Sequence, residues 1–413
     1  MLIHWIWLST RPGIQEREQL AVLSAFRDPE EIFYAEKEAY TNVMGITAQG
    51  ITALCDKDLS EAKEILDECI RKNIQICTFH DGAYPVRLRN IADPPLVLYY
   101  QGNLAGLDSA PVIGVVGTRK ASAYGLTSAS RIGYQIARCG GIVVSGLASG
   151  IDSNAMTGAL TAGGNIVGVL GCGVDVVYPV TSRSLYVDTQ RNGCLISEFP
   201  PNTPPHKWNF PKRNRIISGL SNGVVVVEAP VKSGALITAR RALDQGRDVF
   251  VVPGNIDVDN CKGSNALLRE GAMAVSSGWD VVSEYVALYP DKIRMEDEPL
   301  RQQPEIPGKL ERELSKVAQD VQIPHAIAKS DRKKEKKPID NGEKNSYSVQ
   351  QDIWETLTSQ EQELLRPLRE GETLVDDLIA QSGLPAGKVL SMLTMLQIRG
   401  VVELLPGKRA SLK

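Results

Sequence analysis

The chain has 413 residues, of which 43% are hydrophobic and 23% charged; this is ordinary globular composition on a chain too long for one core, so two or three domains are expected. Lysines and arginines number 46 against 49 acids, a formal charge of −3, which excludes general attraction of a polyanion and demands a local basic patch for any such partner. The seven cysteines, with no Cys-x-x-Cys pair, argue against a zinc site or a disulfide framework and fit a reducing cytoplasm, so no metal or cofactor is expected.

Residues 1–75 read as a small helical domain. Leu20, Leu23 and Phe26, then Ile65, Leu66, Cys69 and Ile70, follow the helical period, and glycines near 13 and 45–50 break the run. The stretch Val43-Met44-Gly45-Ile46 suits a helix-hairpin-helix or a plain packing bundle. The apolar start, Met1 to Leu8, lacks the basic flank of a targeting segment, and no apolar run approaches the ~20 residues of a membrane span; neither is expected.

Residues 76–287 alternate short β-branched runs with helical stretches. The runs are Val112–Val116, Ile142–Ser145, Ile166–Leu170, Leu195–Ser197, Val224–Val227 and Val249–Val252. Strands of this kind are buried on both faces, which predicts a Rossmann-like, doubly wound, mostly parallel α/β sheet. Residues 288–350 lose the pattern, contain Pro304, Pro307, Pro324 and Pro338 and the basic run Arg332 to Lys337, and read as a mobile linker. Residues 351–413 outline a winged helix: one helix around Leu374, Leu378 and Ile379, a Gly383-Leu384-Pro385 turn, a second helix from Val389 to Ile398, then a strand and a wing. The second helix carries only Lys388 and Arg399, so protein docking or weak DNA contact suits it at least as well as base reading.

Ligands of open α/β sheets sit beyond the carboxyl ends of the strands. Here those ends are small, polar and glycine-rich: Gly117-Thr118-Arg119, Ser145-Gly146-Leu147-Ala148-Ser149-Gly150, Gly171-Cys172-Gly173 and Lys232-Ser233-Gly234. Glycine permits close backbone approach, and Ser122 and Ser233 are candidate N-caps of helices whose free N–H groups suit phosphate. A second feature is Phe210-Pro211-Lys212-Arg213-Asn214-Arg215. The segment Lys207–Arg247 around it has a formal charge of about +6, with Trp208 and Phe210 beside the cations. Cations with aromatic faces suit single-stranded nucleic acid; a solvated helix start with core aromatics suits the same residues equally.

Enzyme signatures are missing. There is no phosphate-binding P-loop, no complete dinucleotide fingerprint and no Gly-x-Ser-x-Gly elbow, and only His206 of four histidines lies near a motif. Asp152, Asp175 and Glu228 stand at strand ends, where acid–base work or helix capping is open to them. No catalytic residue is assigned.

Gly117-Thr118-Arg119, Ser145 to Asp152, the long run from Phe210 to Ser221, Glu228-Ala229, Ser233-Gly234 and Val252-Pro253-Gly254 together resemble the DNA-processing protein A (DprA/Smf) family, over roughly residues 75–285. The resemblance implies a non-enzymatic mediator of recombination. It would bind incoming single-stranded DNA in natural transformation, load the RecA recombinase, and act as a homodimer in the cytoplasm. On that reading Arg119, Lys212, Arg213, Arg215 and Lys232 would contact phosphates. Ser145, Gly146, Ser149 and Ser233 would supply donors, and Phe210 or Trp208 would stack a base. Gly117, Asn214 and Gly234 complete the expected DNA-binding set. The sequence departs from the family where Met156 replaces the usual histidine and where Thr181-Ser182-Arg183 stand after Tyr178-Pro179 without the usual asparagine. The competing reading is a nucleotide or nucleoside-phosphate hydrolase of the related lysine-decarboxylase-like group, whose paired glycines and downstream acid are missing at Pro230–Ala235 and Thr238–Arg240. A third is a scaffold that docks partners through its winged helix.

Overall fold

The computed structural model describes residues 1–295 and, with short gaps, 359–412. They fall into two compact units, divided between these stretches.

The first unit opens with six helices: α1 (Leu2–Thr10), α2 (Glu16–Ala25), α3 (Pro29–Tyr34), α4 (Lys37–Thr41), α5 (Ala48–Cys55) and α6 (Ser60–Arg71). Local chemistry sets their ends. Asp28 accepts from the amides of Glu30 and Glu31, with Pro29 in the first turn of α3. Gly45, between α4 and α5, has φ 88°, a left-handed conformation that favours glycine. The Glu18 carboxylate of α2 accepts from the amides of Gln15 and Thr47, each at 2.7 Å, and so fastens α2 to the α4–α5 turn.

Nine strands form one sheet: β1 (Gln75–Thr78), β2 (Val97–Gly102), β3 (Val112–Val116), β4 (Ile142–Ser145), β5 (Ile166–Val169), β6 (Gly193–Ser197), β7 (Gly223–Val226), β8 (Asp248–Val251) and β9 (Met273–Ala274). Their order is β1-β2-β6-β5-β4-β3-β7-β8-β9. From β6 to β9 all pairings are parallel, whereas β1 pairs β2, and β2 pairs β6, antiparallel. Every residue of β3, β4, β5 and β7 is buried, as a sheet covered on both faces requires. Each buried valine or isoleucine contributes roughly 1.5–3 kcal/mol relative to exposure.

The intervening helices are α7 (Val86–Arg89), α8 (Ala123–Arg138), α9 (Ile151–Thr161), α10 (Arg183–Arg191), α11 (Asn209–Leu220), α12 (Gly234–Asp244), α13 (Asp259–Arg269) and α14 (Gly278–Val282). One core holds residues of α8, α9, α10 and α14 together with the apolar residues of α1 to α6; the other holds those of α7, α11 and α12 with Leu267 of α13. The α8 and α9 backbones touch at Gly133 and Gly158, where a Cβ would overlap the carbonyls of Ala155 and Ser130. Met156, where the resembled family has histidine, is fully buried in the first of these cores and offers no titratable group. The body continues to Ile293, which is buried, with the amide of Arg294 bonded to the Cys139 carbonyl.

Strands β4, β5 and β6 step away from β3 in one direction and β7, β8 and β9 in the other. The chain therefore reverses its winding between β3 and β7, and the loops leaving these two strands diverge. Such a switch point is where open α/β sheets leave a crevice.

The second unit has α15 (Ser359–Leu365), α16 (Val375–Ser382) and a sheet ordered β10 (Thr373–Leu374), β12 (Arg409–Leu412), β11 (Val402–Leu405). Lys388, Val389, Met392, Leu393, Leu396 and Gln397 are helical. Val389, Leu393 and Leu396 are buried with Leu364, Leu365, Val375 and Leu378 in a core of its own. Two helices followed by a hairpin make the winged-helix outline. The expected linker from residue 296 on, its basic run, Arg399 and the wing tip at Gly407-Lys408 lie outside the described residues. Among the described residues no helix is long and apolar enough to cross a membrane.

Candidate nucleic-acid interface

The loops after β3, β4 and β7 are laced together at the switch point. The Thr118 amide donates to the Glu228 carbonyl at 2.7 Å, and the Ile151 amide donates to the Thr118 carbonyl at 3.3 Å. Gly117 fits between them: a Cβ there would lie 2.7 Å from Cβ of Ile151 and 2.9 Å from the Glu228 carbonyl. Beside this knot a cavity of about 320 Å³ opens, bounded by the Gly117–Arg119 loop, the Lys232–Ala235 turn and one face of α11.

Helical geometry decides which α11 residues reach it. Phe210, Arg213, Asn214 and Ile217 stand at i, i+3, i+4 and i+7, which places them on one face, and all four line the cavity. Arg119 is exposed and lies over Phe210, with the guanidinium carbon 5.4 Å from the ring centroid. Tyr178 approaches the same ring from beyond, centroids 5.5 Å apart. A smaller pocket of about 60 Å³ adjoins, lined by Arg119, Gly146, Ser149, Gly171, Tyr178, Phe210 and Arg213. Lys232 is exposed and lines the larger cavity, and Ser233 caps α12, its hydroxyl accepting from the Ala235 amide at 3.2 Å. Three cations thus face one carboxylate, Asp152, in this cavity.

Arg213 is 4% exposed, and one end of its guanidinium donates to the Val169 carbonyl at the end of β5. Burial lowers its pKa to about 10, against the attraction of Asp152, so it is charged at neutral pH. Asp152 is pushed above its ordinary range by burial, a shift opposed by Arg213 and by the Gly146 amide, which it accepts at 3.1 Å. Gly146 is where Arg213 passes the chain; a Cβ there would overlap the guanidinium.

The strand-end carboxylates have structural partners. Glu228, 1% exposed, accepts from the Ser122 amide at 2.9 Å and from its hydroxyl, and so occupies the N-terminus of α8 (Ala123–Arg138). Asp175 accepts from the Asn202 amide and from Lys72. Among the described residues no cluster of His, Cys, Asp and Glu has the makings of a metal site.

The expected DNA-binding residues therefore separate. Gly117, Arg119, Phe210, Arg213, Asn214, Lys232, Ser233 and Gly234 share the switch-point cavity, and Gly146 and Ser149 line the adjoining pocket. Ser145 is fully buried, its hydroxyl donating to the Val115 carbonyl at 2.6 Å. Lys212 and Arg215, three residues apart, line a different cavity on the far side of α11. Lys212 meets Glu16 at 2.5 Å and Glu198 at 3.3 Å, and Arg215, 2% exposed, is held by Glu198 and by the Asp93 carbonyl at 2.5 Å. Trp208 is exposed and stacks on His206, rings nearly parallel at 5.1 Å. Tyr178 and Asp152 were not singled out as contact residues. Tyr178 is distant in sequence from the α11 motif, and only the fold brings it to Phe210.

Residues 75–286 match the family model described as DNA recombination-mediator protein A, and residues 354–408 match the DprA winged helix domain. Protein Smf of Synechocystis sp. is 35% identical over 349 residues, covering 84% of this chain and 82% of its own. The DNA processing protein DprA of Bacillus subtilis is 44% identical over 201 residues, 49% of this chain and 68% of its own. The X-ray structure of DprA from Streptococcus pneumoniae superposes with a TM-score of 0.62 at 32% identity, covering 72% of this chain and 99% of that one. The chain belongs to the DNA recombination-mediator protein A family.

Proposed function

We propose that this protein binds single-stranded DNA at the β3–β7 switch point and acts there by holding the strand, not by catalysis. The observation that carries the reading is the convergence of Arg119, Arg213 and Lys232 with the Phe210 ring around one cavity. The cations neutralise phosphates, and the Phe210 ring together with the Arg119 guanidinium over it and Tyr178 beside it offers an unstacked base a stacking platform that is indifferent to sequence. The N-terminus of α12 (Gly234–Asp244) adds backbone donors at the same place. That of α8 is already taken by Glu228, so α12 is the better anion site. Asp152 and Glu228 are committed to internal hydrogen bonds, which favours holding over acid–base chemistry.

On this reading the protein is a cytoplasmic recombination mediator of natural transformation. It works as a homodimer and passes its strand to the RecA recombinase. Fluorescence anisotropy with labelled single- and double-stranded oligonucleotides tests the binding. Salt-sensitive, sequence-tolerant preference for the single strand is expected, and equal affinity for duplex contradicts it. Loading is tested by RecA ATPase on a strand precoated with single-strand-binding protein: the chain should shorten the lag, and an unchanged lag removes the mediator step.

A further inference from the structure

The small pocket beside Phe210 differs from the larger cavity in charge and in size. Its wall includes Arg119 and Arg213 and no carboxylate, whereas Asp152 lines the larger cavity. Arg213 lines both, and its terminal nitrogens have different tasks. Nη1 donates to the Val169 carbonyl; Nη2 makes no hydrogen bond among the described residues and, unlike the enclosed and unpartnered Nε, keeps solvent access. Ser149 and Tyr178 on the same wall are exposed, and their hydroxyls form no hydrogen bond among the described residues. Two glycines keep the space open. A Cβ on Gly146 would overlap the Arg213 guanidinium, and one on Gly171 would lie 2.9 Å from the Phe210 ring.

The pocket measures about 60 Å³, the room that two water molecules take up in the liquid at ~30 Å³ each. A base with its sugar exceeds that space; a single phosphate group does not. A mid-strand phosphodiester brings a nucleoside on each side, and both would have to leave through the larger cavity. A terminal phosphomonoester brings only one. It also carries about −1.5 to −2 at neutral pH, against the single charge of a diester. Two arginines with no opposing acid match that dianion, and guanidinium N–H groups suit phosphate oxygens. We propose that this pocket holds the terminal phosphomonoester of a single strand. Arg119 and Nη2 of Arg213 donate to its oxygens, as do the Ser149 and Tyr178 hydroxyls, and the adjoining nucleotides run over Phe210 into the larger cavity. The assignment rests on the switch-point reading and adds to it that the protein captures strand ends.

Fluorescence anisotropy of the full chain with a short, internally labelled oligothymidine tests the proposal. The strand is supplied 5′-phosphorylated, 3′-phosphorylated, hydroxyl-ended and closed into a circle. A phosphate at one end should tighten binding about tenfold over the hydroxyl-ended and circular strands, and the end that gains is the end held. Ser149→Leu fills the pocket from an exposed position and should bring that ratio close to one, with a thermal melt confirming that the variant folds. Equal, saturable affinity for phosphorylated and hydroxyl-ended strands would overturn the terminal site while leaving strand binding at the switch point intact. An equal gain from a phosphate at either end marks general charge attraction and overturns it too. So does a full preference that survives in folded Ser149→Leu. Absence of binding to all four forms would remove the switch-point reading and this assignment together.

Discussion

Arg119 lies over the face of Phe210, its guanidinium carbon 5.4 Å from the ring centroid, and so joins the loop after β3 to the first turn of α11. The contact unites the two ingredients of single-strand recognition, a cation for the backbone and a ring for a base. It also fixes Arg119 at the rim while Arg213 lies beneath, so a phosphate entering from solvent would meet an exposed charge before a buried one.

Arg119 and Lys232 are the exposed cations of the cavity, and each should contribute one neutralised phosphate. Substituting either by alanine is expected to weaken single-strand binding roughly tenfold, or about 1.4 kcal/mol. It should also flatten the log–log salt dependence by about 0.7 per cation removed. Lys212→Ala should change both quantities much less, because Glu16 and Glu198 already engage that ammonium. Anisotropy titrations from low to high salt read both.

Phe210→Ala should cost about 1–3 kcal/mol of single-strand affinity through lost base stacking, with the salt slope unchanged because no charge is removed. Phe210→Trp should retain most of the affinity. The pair separates stacking from electrostatics in the same titration.

Gly117→Ala should destabilise the fold by about 1–3 kcal/mol, as overpacking does, because the new methyl meets Ile151 and the Glu228 carbonyl. Urea unfolding measures the loss as a lower midpoint with the same m-value.

Glu18 makes an acid-sensitive fastening. Burial alone would raise its pKa, but hydrogen bonds from Gln15 and Thr47 outweigh this and hold it below its ordinary value of 4.5. A lowered carboxyl pKa contributes stability above the unfolded value, and that contribution is lost as pH falls through the folded one. Glu18→Gln should therefore be less stable than the parent at neutral pH, by about 1.5–3 kcal/mol for a charged hydrogen-bond acceptor. The gap should narrow as pH is lowered from neutral to acid and the parent carboxylate is protonated. Urea midpoints at the two pH values check the sign.

The parallel strands were legible because burial on both faces forces continuous apolar runs, and the six runs coincide with β3 to β8. The antiparallel pair β1–β2 was not, since each strand lies outside the strand–helix alternation that exposed the others. The loops of the site could be read from their glycines, but the basic cluster was counted along a line and the helix distributes it around an axis. Phe210 and Arg213 turn to the switch point, while Lys212 and Arg215 turn to carboxylates supplied by α2 and the β6 loop, which sequence proximity cannot show. Ser145 reads as a polar strand end, yet its hydroxyl is spent inside the sheet on Val115. Glu228 reads as a candidate acid, and its carboxylate is spent on Ser122, the N-cap of α8.

Photocrosslinking of an oligothymidine containing 4-thiothymidine, followed by mass mapping of the adducts, locates the strand directly. The account predicts adducts on the peptides bearing Phe210, Tyr178 and the Gly117–Lys120 loop, lost when Arg119 and Lys232 are both alanine. Adducts confined to residues 1–74 or to the winged helix, and indifferent to those substitutions, would contradict it.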